Sequence, residues 1–190
     1  MDEDINTPDD AVKKPKSLKK EIISWILVVG SAVLISFLIN NFIIVNATVP
    51  SGSMRNTIQE GTRIIAFRLS YLFSEPERFD VVVFRAPDNE EIYNVKRIIG
   101  MGGERIDIIG GQVFVNLEPE PLYDGFILEP HRQEMDSTFL VPEGHFFVLG
   151  DHRNDSHDSR GWINTYLPRE NILGRAVFSY FPFNRMGLIR

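Results

Sequence analysis

Two residues in this chain have the type and setting for nucleophilic catalysis. Ser53 lies in Pro50-Ser51-Gly52-Ser53-Met54-Arg55-Asn56-Thr57-Ile58, where Gly52 lets the backbone make a tight, exposed turn. A turn of that kind can present a hydroxyl for attack, although Ser-Gly-Ser equally describes a flexible linker. Lys96 lies in Asn94-Val95-Lys96-Arg97-Ile98-Ile99-Gly100, followed by Met101-Gly102-Gly103-Glu104. Strand alternation puts Lys96 on the face of Ile92 and Ile98, opposite Arg97. Burial there disfavours the ammonium form and lowers the pKa. Bringing it from about 10.4 to about 7 takes ~4–5 kcal/mol of differential stabilisation and yields an amine that can accept a serine proton. The plainer reading is a strand lysine that snorkels to solvent. Residue usage shifts the balance, because fourteen arginines and a single lysine follow Met54. Arginine stays protonated and cannot act as a base.

A third segment, Gly150-Asp151-His152-Arg153-Asn154-Asp155-Ser156-His157-Asp158-Ser159-Arg160, leaves the apolar run Phe146–Leu149 as a polar loop. Its composition suits a hydrogen-bonded platform with Asp158 and Arg160 as an internal pair, or simply an exposed loop. Two other chemistries draw on the same residues. Ser53, His152 or His157, and Asp151 or Asp158 could form a triad; the histidines and carboxylates could instead hold a divalent metal. Neither has a recognised spacing such as His-Glu-x-x-His, so no metal or cofactor is expected. With no cysteine in the chain, disulfides, thiolate metal sites and cysteine nucleophiles are excluded. A net charge of −6 gives no basic patch for nucleic acid.

The elements that must position these residues fall into three parts. Ile22–Ile39 is apolar or small throughout, and the run resumes after Asn40 and Asn41 as Phe42–Val45. Ile22–Val45 is long enough for a helix to span the bilayer, which takes about 20 residues. Lys13, Lys14, Lys16, Lys19 and Lys20 flank its N-terminal end, so the positive-inside rule places residues 1–21 in the cytoplasm and residues 46–190 outside. The tail, polar and holding Pro8 and Pro15, is expected to be disordered. A removed secretory signal competes with a retained anchor, since Val45-Asn46-Ala47 resembles a cleavage site, but the apolar run exceeds the usual 7–15 residues of a signal core. Ser53 follows Val45 by eight residues, within roughly 26 Å of the membrane at about 3.3 Å per residue.

Beyond Pro50 the pattern predicts β structure. Candidate strands are Thr62–Arg68, Phe79–Arg85, Glu91–Ile99, Glu104–Ile109, Gln112–Leu117, Thr138–Val141, His145–Leu149 and Leu173–Tyr180. Gly110-Gly111 signals a hairpin and Pro142-Glu143-Gly144 a turn. Glu118–Asp136, with three prolines, reads as an extended excursion. No other window has a long helical stripe, so the fold class is mostly β with one transmembrane helix.

In this order, downstream of an N-in anchor, the segments resemble the bacterial type I signal peptidases, in the short form common in Gram-positive bacteria. The serine segment resembles that family's Ser-Gly-Ser-Met-x-Pro-Thr-Leu box, and Arg78-Phe79-Asp80-Val81-Val82-Val83-Phe84 its Arg-Gly-Asp-Val-Val-Val-Phe strand. Lys96–Glu104 is similar to Lys-Arg-(Val/Ile)-Ile-Gly-x-x-Gly-Asp, and Gly150–Arg160 to Gly-Asp-Asn-Arg-x-x-Ser-x-Asp-Ser-Arg. The resemblance implies antiparallel sheets with an apolar surface resting on the membrane. It implies Ser53 as nucleophile, Lys96 as base, and Ser51 with the Ser53 backbone N–H as oxyanion hole. Ser156 would orient Lys96, Asp158 paired with Arg160 would hold the loop, and Asp151 would be structural. Val49, Ile58 and Val95 would line the substrate pockets. The implied substrates are exported preproteins with small residues at the first and third positions before the scissile bond. The implied setting is the bacterial plasma membrane, in contact with lipid and the export machinery. Asn56, Phe79, Glu104 and His152 depart from the usual Pro, Gly, Asp and Asn. Two rival classes remain: a catalytically silent relative that binds signal peptides or serves the export machinery, and an anchored β domain with an unrelated binding role.

Overall fold

The computed structural model describes residues 18–123, 125–130 and 135–190. Most of the expected tail lies outside them, as does His131. The chain divides into two units, Met1–Leu38 and Ile39–Arg190.

In the first unit, helix α1 spans Leu18–Leu38. Twenty-one residues at 1.5 Å each make about 31 Å, the thickness of a bilayer core. None of its residues is buried by protein. It begins four residues before the expected Ile22, because Leu18, Lys19, Lys20 and Glu21 are good helix formers and continue the same turns.

The second unit opens with a π-helical turn, Ile39–Ile43, where Asn40 and Asn41 favour local side-chain bonding over a regular helix. Asn46 Nδ2 donates to Asn40 Oδ1 at 3.2 Å. Ile44 and Val45, expected at the end of the helix, belong instead to strand β1, Ile44–Thr48. Their β-branched side chains suit a strand, and β1 is held by antiparallel pairing to β2, Arg63–Phe67.

The main sheet continues with β3 (Val81–Ala86), β4 (Asn89–Gly100), β8 (His145–Leu149), β9 (Leu167–Pro168) and β10 (Ile172–Phe181). Its order is β1-β2-β10-β3-β4-β8-β9, and β11 (Gly187–Leu188) pairs with β10. A smaller sheet, ordered β6-β5-β7, is built from β5 (Arg105–Ile109), β6 (Gln112–Val115) and β7 (Ser137–Leu140). All of these pairings are antiparallel. The eight expected strands are present with ends shifted by a few residues. β1, β9 and β11 were not expected; two-residue strands are too short to show alternation. Gly110 and Gly111 turn the β5–β6 hairpin with φ of 56° and 83°, the left-handed pair that a two-residue turn requires.

Lys96 sits on β4, between β3 and β8, with Val82 as its β3 partner. The first half of β4 is exposed and Val95–Gly100 is buried on both faces. This changes the expected neighbourhood: Ile92 is largely exposed and does not cover the lysine, whereas Ile98 is fully buried. Arg97, on the opposite face, is buried as well. One core cluster gathers Val49, Met54, Ile58, Val81, Val83 and Val95 beside the serine turn; others lie around Phe84 and Ile98 and around Phe147 and Ile106.

Candidate active site

Ser53 occupies a single 3-10 turn, Gly52–Met54, closed by Arg55 N–H donating to Gly52 O at 2.9 Å. Thr57 and Ile58 N–H both return to Met54 O, so the segment is an ordered turn and not a linker. Ser53 is 7% exposed, and its hydroxyl lies 3.3 Å from that of Ser51. Its carbonyl accepts from His152 N–H at 3.0 Å, which ties the serine segment to the polar loop. Gly150 explains how closely these two approach. A Cβ there would lie 2.5 Å from Ser53 O and closer still to Ser156 Oγ, so only glycine fits.

Lys96 is 4% exposed. Burial, opposed by Asp158 and Asp151 and aided by Arg160, pushes its pKa down from 10.5 to about 8. Its Nζ donates to Ser156 Oγ at 3.0 Å. One N–H is thereby engaged, which orients the amine and leaves its lone pair, when neutral, free for another proton. Among the described residues no histidine is hydrogen-bonded to Ser53 Oγ: His152 faces Asp155 at 3.8 Å and His145 Nδ1 lies 3.0 Å from Glu143 O.

The platform behind Ser156 is anchored by Asp158, which is almost wholly buried. Arg160 Nε and Nη2 donate to its two oxygens at 2.8 and 2.9 Å, and Gly150 N–H adds a bond at 3.1 Å. Burial alone would raise this carboxyl, but Arg160, by hydrogen bond and charge, with help from Ser156 and Gly150, holds it below the usual range. Ser159 Oγ accepts from Val148 N–H at 3.0 Å and fastens the loop to β8.

Asp151 forms the second anchor, with a partner that reading the sequence did not identify. Arg97 donates to it through Nε at 2.9 Å and Nη2 at 2.6 Å, and both side chains are almost completely buried. Arg97 Nη1 also reaches Phe79 O at 2.8 Å. Thr57 Oγ1 donates to Asp151 Oδ2, and Asp151 N–H points at Met54 Sδ from 3.4 Å. The sequence carries only a faint trace of this pair, an arginine inside a strand pattern and a carboxylate-rich loop 54 residues further along. Val49, Ile58 and Val95 surround the serine turn as core, 2%, 2% and 7% exposed. The described residues include no group of three or more His, Asp or Glu placed to share a cation.

Two stability measurements follow from this geometry. Asp151→Ala should cost about 3–5 kcal/mol, because it strands the Arg97 charge in the interior; a denaturation midpoint close to wild type would show the pair to be unimportant. The Lys96 pKa is depressed on folding, so the unfolded chain binds more protons between pH 8 and 10.5 and stability rises with pH across that window. Lys96→Met should therefore be more stable than wild type at pH 7, with about 3 kcal/mol of the gap disappearing as the pH approaches 10.5. Taking the difference removes the separate alkaline effect of Tyr71, whose phenol is raised by burial and by its bond to Asp80. A gap that does not change with pH would mean that Lys96 titrates normally.

Comparison with known proteins places the chain. Residues 22–181 match the family described as signal peptidase, peptidase S26. A signal peptidase I of Leptolyngbya laminosa is 35% identical over 184 residues, covering 93% of this chain and 88% of that one. Signal peptidase IB of Staphylococcus aureus is 29% identical over 182 residues, covering 88% and 93%. Among solved structures, a signal peptidase I of Enterococcus faecalis matches 54% of this chain and 97% of its own, at 27% identity and a TM-score of 0.46. By the extent of the family match and the near full-length relative, this chain belongs to the signal peptidase family, peptidase S26.

Proposed function

We propose that this chain removes signal peptides from exported preproteins by serine–lysine catalysis, with Ser53 as nucleophile and Lys96 as general base. The observation that carries this reading is the setting of Lys96. It is a buried amine brought down to about 8 and oriented by Ser156, with no direct ion pair among the described residues. About a tenth of such an amine is neutral at pH 7. Neutral Lys96 takes the Ser53 proton as Oγ attacks the scissile carbonyl. The oxyanion is held by the Ser53 backbone N–H and the Ser51 hydroxyl. The lysine ammonium then protonates the leaving amine, and the same amine later activates the water that hydrolyses the acyl-enzyme. Lys96 Nζ is bonded to Ser156 Oγ and Ser53 Oγ to that of Ser51; the Lys96–Ser53 hydrogen bond is expected to form when substrate is bound, as general-base pairs commonly tighten there.

Val49, Ile58 and Val95 supply an apolar floor beside the nucleophile, suited to small side chains at the first and third positions before the cut. Helix α1 and the helical run to Ile43 have the length and composition to cross a membrane, with the lysines on the cytoplasmic side and the β domain outside. Lipid and the export machinery are the expected neighbours in that setting. A cut at Val45-Asn46-Ala47 would remove most of β1, which supports retention of the anchor. A catalytically silent signal-peptide binder is the weaker reading, since such a protein has no need of a desolvated lysine near the serine.

Ser53→Ala should abolish preprotein cleavage with the fold intact, and Ser51→Ala should slow it by about 10²–10³. Lys96→Arg should be as inactive as Lys96→Ala, because a guanidinium keeps its proton. Wild-type rate should rise with pH through an apparent pKa near 8. Near-normal turnover by Lys96→Arg, measured on a purified preprotein, would overturn the mechanism. Replacing His152 or His157 with Ala should leave substantial activity; a folded but dead histidine variant would restore the triad. Protease added outside intact spheroplasts should digest the chain beyond Val45 and spare the tail. Protection of the C-terminal part would reverse the assigned orientation.

A further inference from the structure

The excursion between β6 and β7 approaches the catalytic platform at two places. The Phe126 ring covers the Arg97 guanidinium, 4.1 Å from centroid to Cζ, and Phe79 meets Phe126 edge-on at 5.8 Å. Glu129 Oε2 accepts from Asn56 Nδ2 at 2.6 Å, while the same amide donates to Asp151 O at 2.9 Å. Asn154 Nδ2 adds a third tie, to Pro130 O at 2.9 Å. The Phe126 and Glu129 contacts both converge on Asp151, one through its ion-pair partner and one through its carbonyl. Asp151 in turn holds Met54, next after Ser53, and Thr57, one turn further on.

Three of the four departures from the family pattern face this excursion. A proline at position 56 would have no amide with which to bridge Glu129 and Asp151. A glycine at position 79 would have no ring to set against Phe126, and Phe79 keeps its ring despite a φ of 73°, where glycine is at ease. His152, the third, lies near enough to Glu129 to act on its carboxyl. Burial works to raise the Glu129 carboxyl, but the Asn56 amide, backbone N–H groups and His152 hold it below the usual range, so it remains an acceptor. Glu104, the fourth, serves elsewhere and pairs with Arg78.

We propose that Phe126 and Glu129 are positioning residues for Ser53, fixing Asp151 and through it the serine turn. The proposal rests on Ser53 being the nucleophile. Aromatic cover keeps water from the Arg97–Asp151 pair and so strengthens it. The Glu129–Asn56 clasp fixes the Asp151 backbone. Neither residue needs to touch substrate.

The test uses the full chain in lipid vesicles with a preprotein bearing a signal peptide, and reads kcat and KM separately. Phe126→Ala and Glu129→Ala should lower kcat about tenfold to a hundredfold, the usual cost of a misplaced reacting group, with KM close to wild type; the thermal midpoint should stay near wild type for Glu129→Ala and fall for Phe126→Ala, whose ring packs on the core. Phe126→Tyr keeps the ring and Glu129→Gln keeps the acceptor, so both should recover most of the rate. Should an alanine variant unfold, Asn56→Asp is isosteric, sets a carboxylate against Glu129, and should show the same loss in kcat. A raised KM with unchanged kcat would make the excursion a substrate wall and overturn the proposal. Wild-type kcat in the alanine variants, or no recovery in Phe126→Tyr and Glu129→Gln, would also overturn it. Ser53→Ala run in parallel separates the two ideas: if it is dead while the excursion variants are normal, only the positioning role falls, and if it is active, the nucleophile assignment falls.

Discussion

The buried Arg97–Asp151 pair is the interaction on which the rest of the site depends. Two charges taken out of water cost several kcal/mol each unless their attraction and additional hydrogen bonds compensate. Here the additional bonds come from separate parts of the chain: Phe79 O, Thr57 Oγ1 and the Arg190 carbonyl. The pair therefore forms well only when the serine segment, β4, the polar loop and the C-terminal residues are all in place. A requirement of that kind stabilises modestly but specifies strongly, because any displaced segment leaves a buried charge without a partner.

The adjacent residue on β4 shows the opposite arrangement. Arg97 has a carboxylate and several acceptors, whereas Lys96 has one hydroxyl and carboxylates that act on it only at longer range. Two cations one residue apart thus face opposite sides of one strand, one with its charge fully satisfied and the other with its charge disfavoured. Burial on both faces of β4 is what allows this. A strand with one face open to water would expose one of the two and lose either the buried pair or the desolvated amine. Cover on both faces of β4 therefore matters to the two cations as much as its place between β3 and β8 does.

Much of this arrangement was legible in the sequence because it rests on short-range signals. Alternation marked β4 and β10, Gly110-Gly111 marked the hairpin, and an isolated lysine among arginines marked Lys96. Asp158 and Arg160, two residues apart, could be paired by proximity alone. What stayed hidden was what depends on distant segments meeting. Arg97 and Asp151 are 54 residues apart, and no local pattern links them. Ile92 was read as cover for Lys96, but alternation cannot say where along a strand the core ends. Ile44 and Val45 fitted an apolar helix and a β-branched strand equally well, and only the partner β2 decides between these.

That ambiguity at Ile44–Ala47 has a chemical side. A chain proposed to cut after small residues carries its own Val45-Asn46-Ala47, in a segment that also resembles a removable signal. Peptide-bond hydrolysis needs an extended strand that can enter the site with its backbone groups free. β1 is the end strand of the sheet, so only the groups on one side of it bond to β2, with Val45 opposite Ala66 and Ala47 opposite Ile64, and the Val45 side chain is buried. Exposing the bond after Ala47 would mean stripping a strand from the sheet and uncovering part of the core around Met54. The pairing that continues the chain into the catalytic domain thus also withdraws the sequence most like a substrate.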